Sequence, residues 1–233
     1  MKIIWRITVA LAVLAGATAC WDGTGGLPDA GFLLRGARAA SGDVTSAHVE
    51  MSASAPVPGL AARTFSADVR APHKSEPGAS VGAADIVLGA NRSQRVEFVE
   101  RDSQLYTKSA SGKFNPAPKL SGAGELPIPS TLLDPERGLA RMLANISDAR
   151  TEVRETIDGV LAFRVTGTVP RADAQVWLPT IREDARLTVW FAATGRHLPV
   201  GTRLTVPGAD GAPVTIDFAL SDLNRKVSVP AID

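Results

Sequence analysis

Val44-Thr45-Ser46-Ala47-His48-Val49-Glu50-Met51-Ser52-Ala53-Ser54-Ala55 is the stretch that decides the fold. In an extended chain Ala47, Val49, Met51 and Ala53 share one side, and His48, Glu50 and Ser52 share the other. A period of two residues predicts a strand with one dry face and one wet face. The same period returns in Phe65, Ala67 and Val69, and in Val96 and Phe98 with Arg95 and Glu97 opposite. It continues in Leu161, Phe163 and Val165, then in Leu187, Val189 and Phe191, then in Leu198, Val200 and Leu204. Val214, Ile216, Phe218 and Leu220 close the series. Pro58-Gly59, Asp158-Gly159, Thr194-Gly195 and Asp210-Gly211 punctuate these runs with turn dipeptides. Strands joined by short turns form an antiparallel sheet, one face packed and the other solvated.

Helical spacing interrupts the pattern in three places. Residues 29–40 put Phe32, Leu33 and Leu34 behind Asp29, a helix cap. Residues 132–150 carry Leu139, Met142, Leu143 and Ile146 three and four apart. Asp134 as N-cap and Pro135 at the first helical position predict a helix through that segment. Residues 171–183 hold a further short helix with Val176, Trp177 and Leu178. The architecture expected is α+β, a large curved antiparallel sheet with a few helices on its dry side.

The N-terminus carries a separate signal. Lys2 and Arg6 precede an uncharged run from Ile7 to Ala19, followed by Cys20 and the glycine-rich stretch Trp21 to Gly26. A charged start, a short apolar stretch and small residues at its end describe a secretory leader, too short to span a bilayer as a helix. Ala17-Thr18-Ala19-Cys20 resembles the bacterial lipobox, with Ala17 where the pattern carries Leu or Val. The domain boundaries expected are a signal peptide over 1–19, a lipidated Cys20 with a flexible tether over 20–28, and a single domain over 29–233. Losing Lys2 and Arg6 takes the formal net charge from +1 to −1. So even a balance, without a basic block, gives no footprint for nucleic acid.

The chemistry of catalysis and metal binding finds little support. Cys20 is the only cysteine, so no disulfide framework or thiolate metal site can form. His48, His73 and His197 are widely spaced and share no metal-ligand pattern. Glu183-Asp184 sits among Arg182 and Arg186, as on a solvated face. Gly78-Ala79-Ser80-Val81-Gly82 matches the G-x-S-x-G nucleophile elbow, which requires a sharp strand-to-helix turn with Asp and then His downstream. Here Ser80 leads into the alternating residues 81–88, and the only downstream histidine, His197, falls in a hairpin turn. No enzyme is expected, and no cofactor.

The run Ser130-Thr131-Leu132-Leu133-Asp134-Pro135-Glu136-Arg137-Gly138-Leu139-Ala140, continued by Met142-Leu143-Ala144-Asn145, resembles the LppX/LprA/LprF/LprG lipoproteins of mycobacteria and related actinobacteria. Ser46-Ala47-His48-Val49, Pro58-Gly59-Leu60, Leu105-Tyr106, Ile157-Asp158-Gly159 and Val189-Trp190 extend the resemblance to the C-terminus. The chain departs from the family in a shortened stretch between Val169 and Leu187, and at Pro199.

The resemblance implies an incomplete barrel, a half-barrel wrapped around helices on its concave face, enclosing a hydrophobic cavity. It implies diacylated or triacylated lipids or glycolipids as ligands, moved from the inner membrane toward the outer envelope. The partners implied are the cytoplasmic membrane, reached through the lipid anchor on its outer side, and a membrane transporter. Composition agrees, because Ala47, Ala53, Ala67, Gly167 and Ala193 leave dry-face positions small where close packing would otherwise fill the space. Alternation and helical spacing nominate as cavity lining Val49, Met51, Phe65, Val69, Val96 and Phe98. They add Leu139, Met142, Leu143, Ile146, Leu161, Phe163, Val165, Val189 and Phe191. The competing reading is a solid-cored interaction scaffold that docks a membrane partner, with lipid binding incidental. Cys20→Ala is expected to move the exported protein from the detergent phase to the aqueous phase on partitioning, and retention in detergent would point to a different anchor.

Overall fold

The computed structural model describes residues 26–89, 92–108, 112–117 and 126–232. The leader over 1–19 and Cys20 lie outside the described residues. Eleven strands form one sheet. They are β1 (Ser46–Ala53), β2 (Ala62–Arg70), β3 (Ala79–Gly89), β4 (Arg92–Arg101), β5 (Gln104–Lys108) and β6 (Asn115–Pro116), then β7 (Ser147–Ile157), β8 (Val160–Val169), β9 (Ala185–Ala192), β10 (Pro199–Pro207) and β11 (Pro213–Ser221).

Their spatial order is β6-β5-β4-β3-β2-β1-β11-β10-β9-β8-β7. Two antiparallel meanders are therefore joined where the first strand pairs with the last. The outer strands β6 and β7 do not pair with each other, so the sheet is a half-barrel rather than a closed barrel.

Register explains the alternation in the sequence. Val96, Ala84, Phe65, Met51, Phe218, Thr202, Val189 and Val165 lie side by side in one row across eight strands. Every residue of that row is buried. The covering helices are α1 (Ala30–Ser41), α2 (Leu139–Asn145) and α3 (Arg171–Ala174), with a 3-10 segment at Pro129–Leu133. Asp29 caps α1 by accepting from the Phe32 amide at 2.9 Å, which ties up one of the helix's orphan donors.

The helix expected over 132–150 is broken into shorter pieces. Leu132 and Leu133 end the 3-10 segment, and α2 begins only at Leu139. Asp134 does not cap α2; its side chain accepts from the Glu136 amide two residues on, as an Asx turn does. Gly138 takes the cap position, where a Cβ would stand 2.2 Å from the Leu132 carbonyl oxygen. Only glycine lets α2 follow the 3-10 segment so closely. Beyond Asn145 the chain turns extended at Ile146 and becomes β7.

That strand escaped the period-two pattern because it is an edge with no fully buried residue. Polar contacts hold it instead. Arg164 on β8 donates to Glu152 (3.2 Å) and Glu155 (3.1 Å), Thr166 donates to Glu152 (2.7 Å), and Trp190 donates to Glu155 (2.8 Å). Asp158 and Gly159, with φ of 48° and 79°, make the tight turn into β8.

The Thr166 hydroxyl, and after it Arg164, hold the Glu152 carboxyl below its ordinary value of 4.5, against an opposing contribution from burial. A carboxyl depressed in the folded state contributes stability that is complete above its unfolded pKa and is lost as pH falls through the folded one. Thr166→Val is thus expected to lower stability at neutral pH and to flatten its decline below about pH 4.5. Urea unfolding at a series of pH values tests this, and equal slopes in the two proteins would contradict it.

Candidate functional site

The helices bring apolar side chains down onto the buried row. α1 contributes Leu33, Leu34 and Ala37, the 3-10 segment Leu132 and Leu133, and α2 Leu139, Met142 and Leu143. Ala174, Trp177, Leu178 and Ile181 complete this roof. A few polar ties fix it in place. Asp173, buried on α3, accepts from Arg141 Nε and Asn145 Nδ2 on α2, both at 2.7 Å, so the two helices form one piece. That hydrogen bond and the Asp173 charge raise the Arg141 guanidinium above its ordinary pKa.

Glu100, on the dry face of β4, is buried and takes three bonds. Ser80 Oγ donates at 2.9 Å, the Ser130 amide at 3.1 Å, and the Ser130 hydroxyl to the other carboxyl oxygen. This pins the 3-10 segment to the sheet. At the opposite end the Thr180 hydroxyl donates to the Pro58 carbonyl. Gly59 (φ 83°) passes so near that a Cβ would meet Thr180 at 2.3 Å.

Between roof and row runs an apolar seam. Met51, Phe65, Leu204, Ile216, Phe218 and Leu220 line it from the sheet, and Leu132, Leu139, Met142, Trp177 and Leu178 from the roof. It is narrow along its length, with room for hardly more than one water molecule. The two layers are thus closed on each other: where the resemblance implies a cavity, the structure has a narrow seam.

Energetics account for the closure. Held open and dry, a void of about 500 Å3, the scale of an ordinary ligand pocket, would cost about 12 kcal/mol at about 24 cal/mol per Å3. That is comparable to the whole stability of an ordinary domain.

The residues nominated from the sequence divide into three groups. Met51, Phe65, Leu139 and Met142 line the seam. Val49, Val69, Val96, Phe98, Leu143, Val165, Val189 and Phe191 are buried in the same apolar cluster without bordering the seam. Ile146, Phe163 and Leu161 stand apart. Ile146 follows α2 rather than belonging to it and packs over Gly167, where a Cβ would approach it to 2.6 Å. Phe163 is half-buried, with the Arg154 guanidinium 5.9 Å from its ring. Leu161, at the start of β8, is 40% exposed; its parity is right, but it sits beyond the cover of the helices. The lining residues Leu187, Leu204, Ile216, Phe218 and Leu220 belong to strands whose alternation was legible. Trp177 and Leu178 lie in the stretch read as a third helix, but α3 stops at Ala174 and both follow it outside the helix.

Ser80 is inside β3, fully buried, with its hydroxyl committed to Glu100, so no nucleophile elbow forms. A more suggestive group lies on the outer face, with Ser66 at the border of an open groove: Ser66 Oγ is 3.1 Å from His48 Nε2, and His48 Nδ1 is 2.8 Å from Asp68 Oδ1. The spacing is that of a nucleophile, base and acid. Its surroundings are unsuited to acyl transfer. β1 and β2 are central strands whose amides serve the ladder, and the Glu50 carboxylate lies 4.0 Å from the same ring nitrogen. A developing oxyanion would meet a negative charge instead of donors. Among the described residues no cluster of His, Cys, Asp or Glu is placed to hold a metal.

Comparison with known proteins bears on the seam. The profile of the LppX_LprAFG lipoprotein family matches residues 29–229. The lipoarabinomannan carrier protein LprG of Mycobacterium tuberculosis is 30% identical over 232 residues, covering 98% of this chain and 93% of that protein. The protein of the same name from Mycobacterium leprae is 30% identical over 231 residues, covering 97% and 92%. Among solved structures, LprF from Mycobacterium bovis superposes with a TM-score of 0.69 at 21% identity, covering 87% of this chain and 96% of that one. LppX from Mycobacterium tuberculosis gives 0.64 at 22%, covering 86% and 99%. The half-barrel is the fold they share.

Proposed function

Because the chain belongs to the LppX_LprAFG lipoprotein family, we propose that it binds acylated lipids or glycolipids between its helical roof and its sheet. It carries them from the inner membrane toward the outer envelope, held to the outer face of the cytoplasmic membrane by acyl chains on Cys20. The observation that carries this reading is the seam, lined almost wholly by apolar side chains and placed where two separately tied layers meet. The name borne by the LprG relatives, lipoarabinomannan carrier protein, supports it.

The energetics favour loading over an empty cavity. Burial of an acyl chain of about fifteen methylenes contributes roughly 12 kcal/mol, at about 0.8 kcal/mol each. That value is counted from water; a chain drawn from a bilayer is already sheltered, and it enters by taking over the apolar contacts that roof and sheet give up. Apolar burial has no preferred direction, so chain length and saturation are read loosely. A single acyl chain on Cys20 would anchor only marginally, whereas two or more give stable attachment. No catalytic step is assigned to the domain.

The narrowness of the seam favours a second reading, the solid scaffold that docks a membrane partner. Native mass spectrometry of the chain exported behind a general secretory leader with Cys20→Ala separates the two. The carrier is expected to retain species of diacylated-lipid mass, and the scaffold to give a clean protein mass. Leu204→Trp fills the seam from the sheet side and is expected to reduce lipid uptake about tenfold or more while leaving the far-UV spectrum unchanged, the indole occupying space that chains need. Undiminished uptake in that variant would contradict the placement of the chains.

A further inference from the structure

Trp177 is 6% exposed, and its indole Nε1–H is buried without a hydrogen-bond partner, the only such side-chain atom among the described residues. Leaving a donor unsatisfied costs about 1–3 kcal/mol, so buried donors are ordinarily paired. Five other buried polar side chains show the contrast: Glu100, Ser80, Ser130, Asp173 and Thr166 each have a partner. Trp177 also lines the seam. Its ring packs edge-on against Phe218 at 5.6 Å, and Phe218 pairs across the strands with Thr202. Thr202 is the one other side chain bordering the seam that carries a hydrogen-bonding group. The polar capacity of an otherwise greasy slot is therefore gathered around Phe218.

The seam also changes character next to this spot. Leu178 borders both the seam and an open groove lined by Pro58, Thr180, Arg182, Glu183 and Pro207. Hydrocarbon needs no donor, whereas an acylated lipid brings one kind of polar atom with its chains, the carbonyl oxygen that joins each chain to its headgroup. That oxygen accepts and does not donate, the complement of an indole N–H.

Resting on the carrier reading above, we infer that Trp177 is a specificity-determining residue whose Nε1–H receives an acyl ester carbonyl, with the Thr202 hydroxyl as a second donor. The ligand class this selects is ester- or amide-linked acyl lipid over ether-linked alkyl lipid of the same length. It also fixes the depth of the ligand, with the carbonyl at Phe218 and the chains running along the seam.

The test compares dipalmitoyl phosphatidylglycerol with its dihexadecyl ether analogue, binding to the exported chain and to Trp177→Phe. The unsubstituted chain is expected to prefer the ester roughly tenfold, the order of one buried hydrogen bond. Trp177→Phe, which keeps an aromatic ring and loses the donor, is expected to bind both about equally. In the unsubstituted chain the Trp177 indole proton resonance is expected to move downfield with the ester and not with the ether. An ester-to-ether ratio unchanged by the substitution, or identical indole shifts with both lipids, would overturn the assignment while leaving the carrier reading in place. Failure of both lipids to bind the unsubstituted chain overturns both.

Discussion

An open sheet that is apolar on one face cannot stand in water, and covering that face is the constraint from which the rest of the molecule follows. The buried row from Val96 to Val165 spans eight strands, wider than any one helix can shield. The chain covers it with four short helical pieces instead of one long one. Each piece is too short to be stable alone and depends on the sheet beneath it. The ties between them, Asp173 with Arg141 and Asn145, and Glu100 with Ser130, are few and discrete. The outcome is two layers held face to face by apolar contact and pinned at a handful of points. In the carrier proposed above, such a roof parts from its sheet only along the seam, while the pinned points keep each helical piece on the sheet that supports it.

Much of the fold was legible because the period of two is a direct image of which face is dry. The long alternating runs became β1, β2, β4, β8, β9, β10 and β11, and Asp29 announced α1. What stayed hidden had physical reasons. β7 carries no buried side chain, so edge position and a polar network replaced the apolar signal. Asp134-Pro135 reads as a helix start, yet the tight passage at Gly138 moves the start of α2 to Leu139. Of the nominated lining, Met51 and Phe65 from the central strands and Leu139 and Met142 from α2 met the seam, whereas Leu161 has the right parity at a place the roof does not reach. The orphan donor on Trp177 could not be read at all, because only packing decides whether an indole N–H finds a partner.

Closure of the two layers on each other belongs to the proposed mechanism. A carrier that kept a wide dry cavity would forfeit a large part of its stability, and one filled by rigid side chains could not open. A seam bordered by methionine on both sides, Met51 from the sheet and Met142 from the roof, suits a lining that must repack, since the thioether side chain adapts to irregular space. The Cys20 anchor and the short glycine-rich tether that follows it would keep this domain close to the membrane from which chains are drawn.

The central claim is that the roof lifts from the sheet when acyl chains enter. Spin labels at Ala144→Cys on α2 and Glu50→Cys on the outer face of β1, both exposed, in a chain with Cys20→Ala, would measure that separation by pulsed electron resonance. Loading with a diacylated phospholipid is predicted to lengthen the distance by several ångströms and to narrow its distribution. An unchanged distance in a chain shown by mass to hold the lipid would contradict the account.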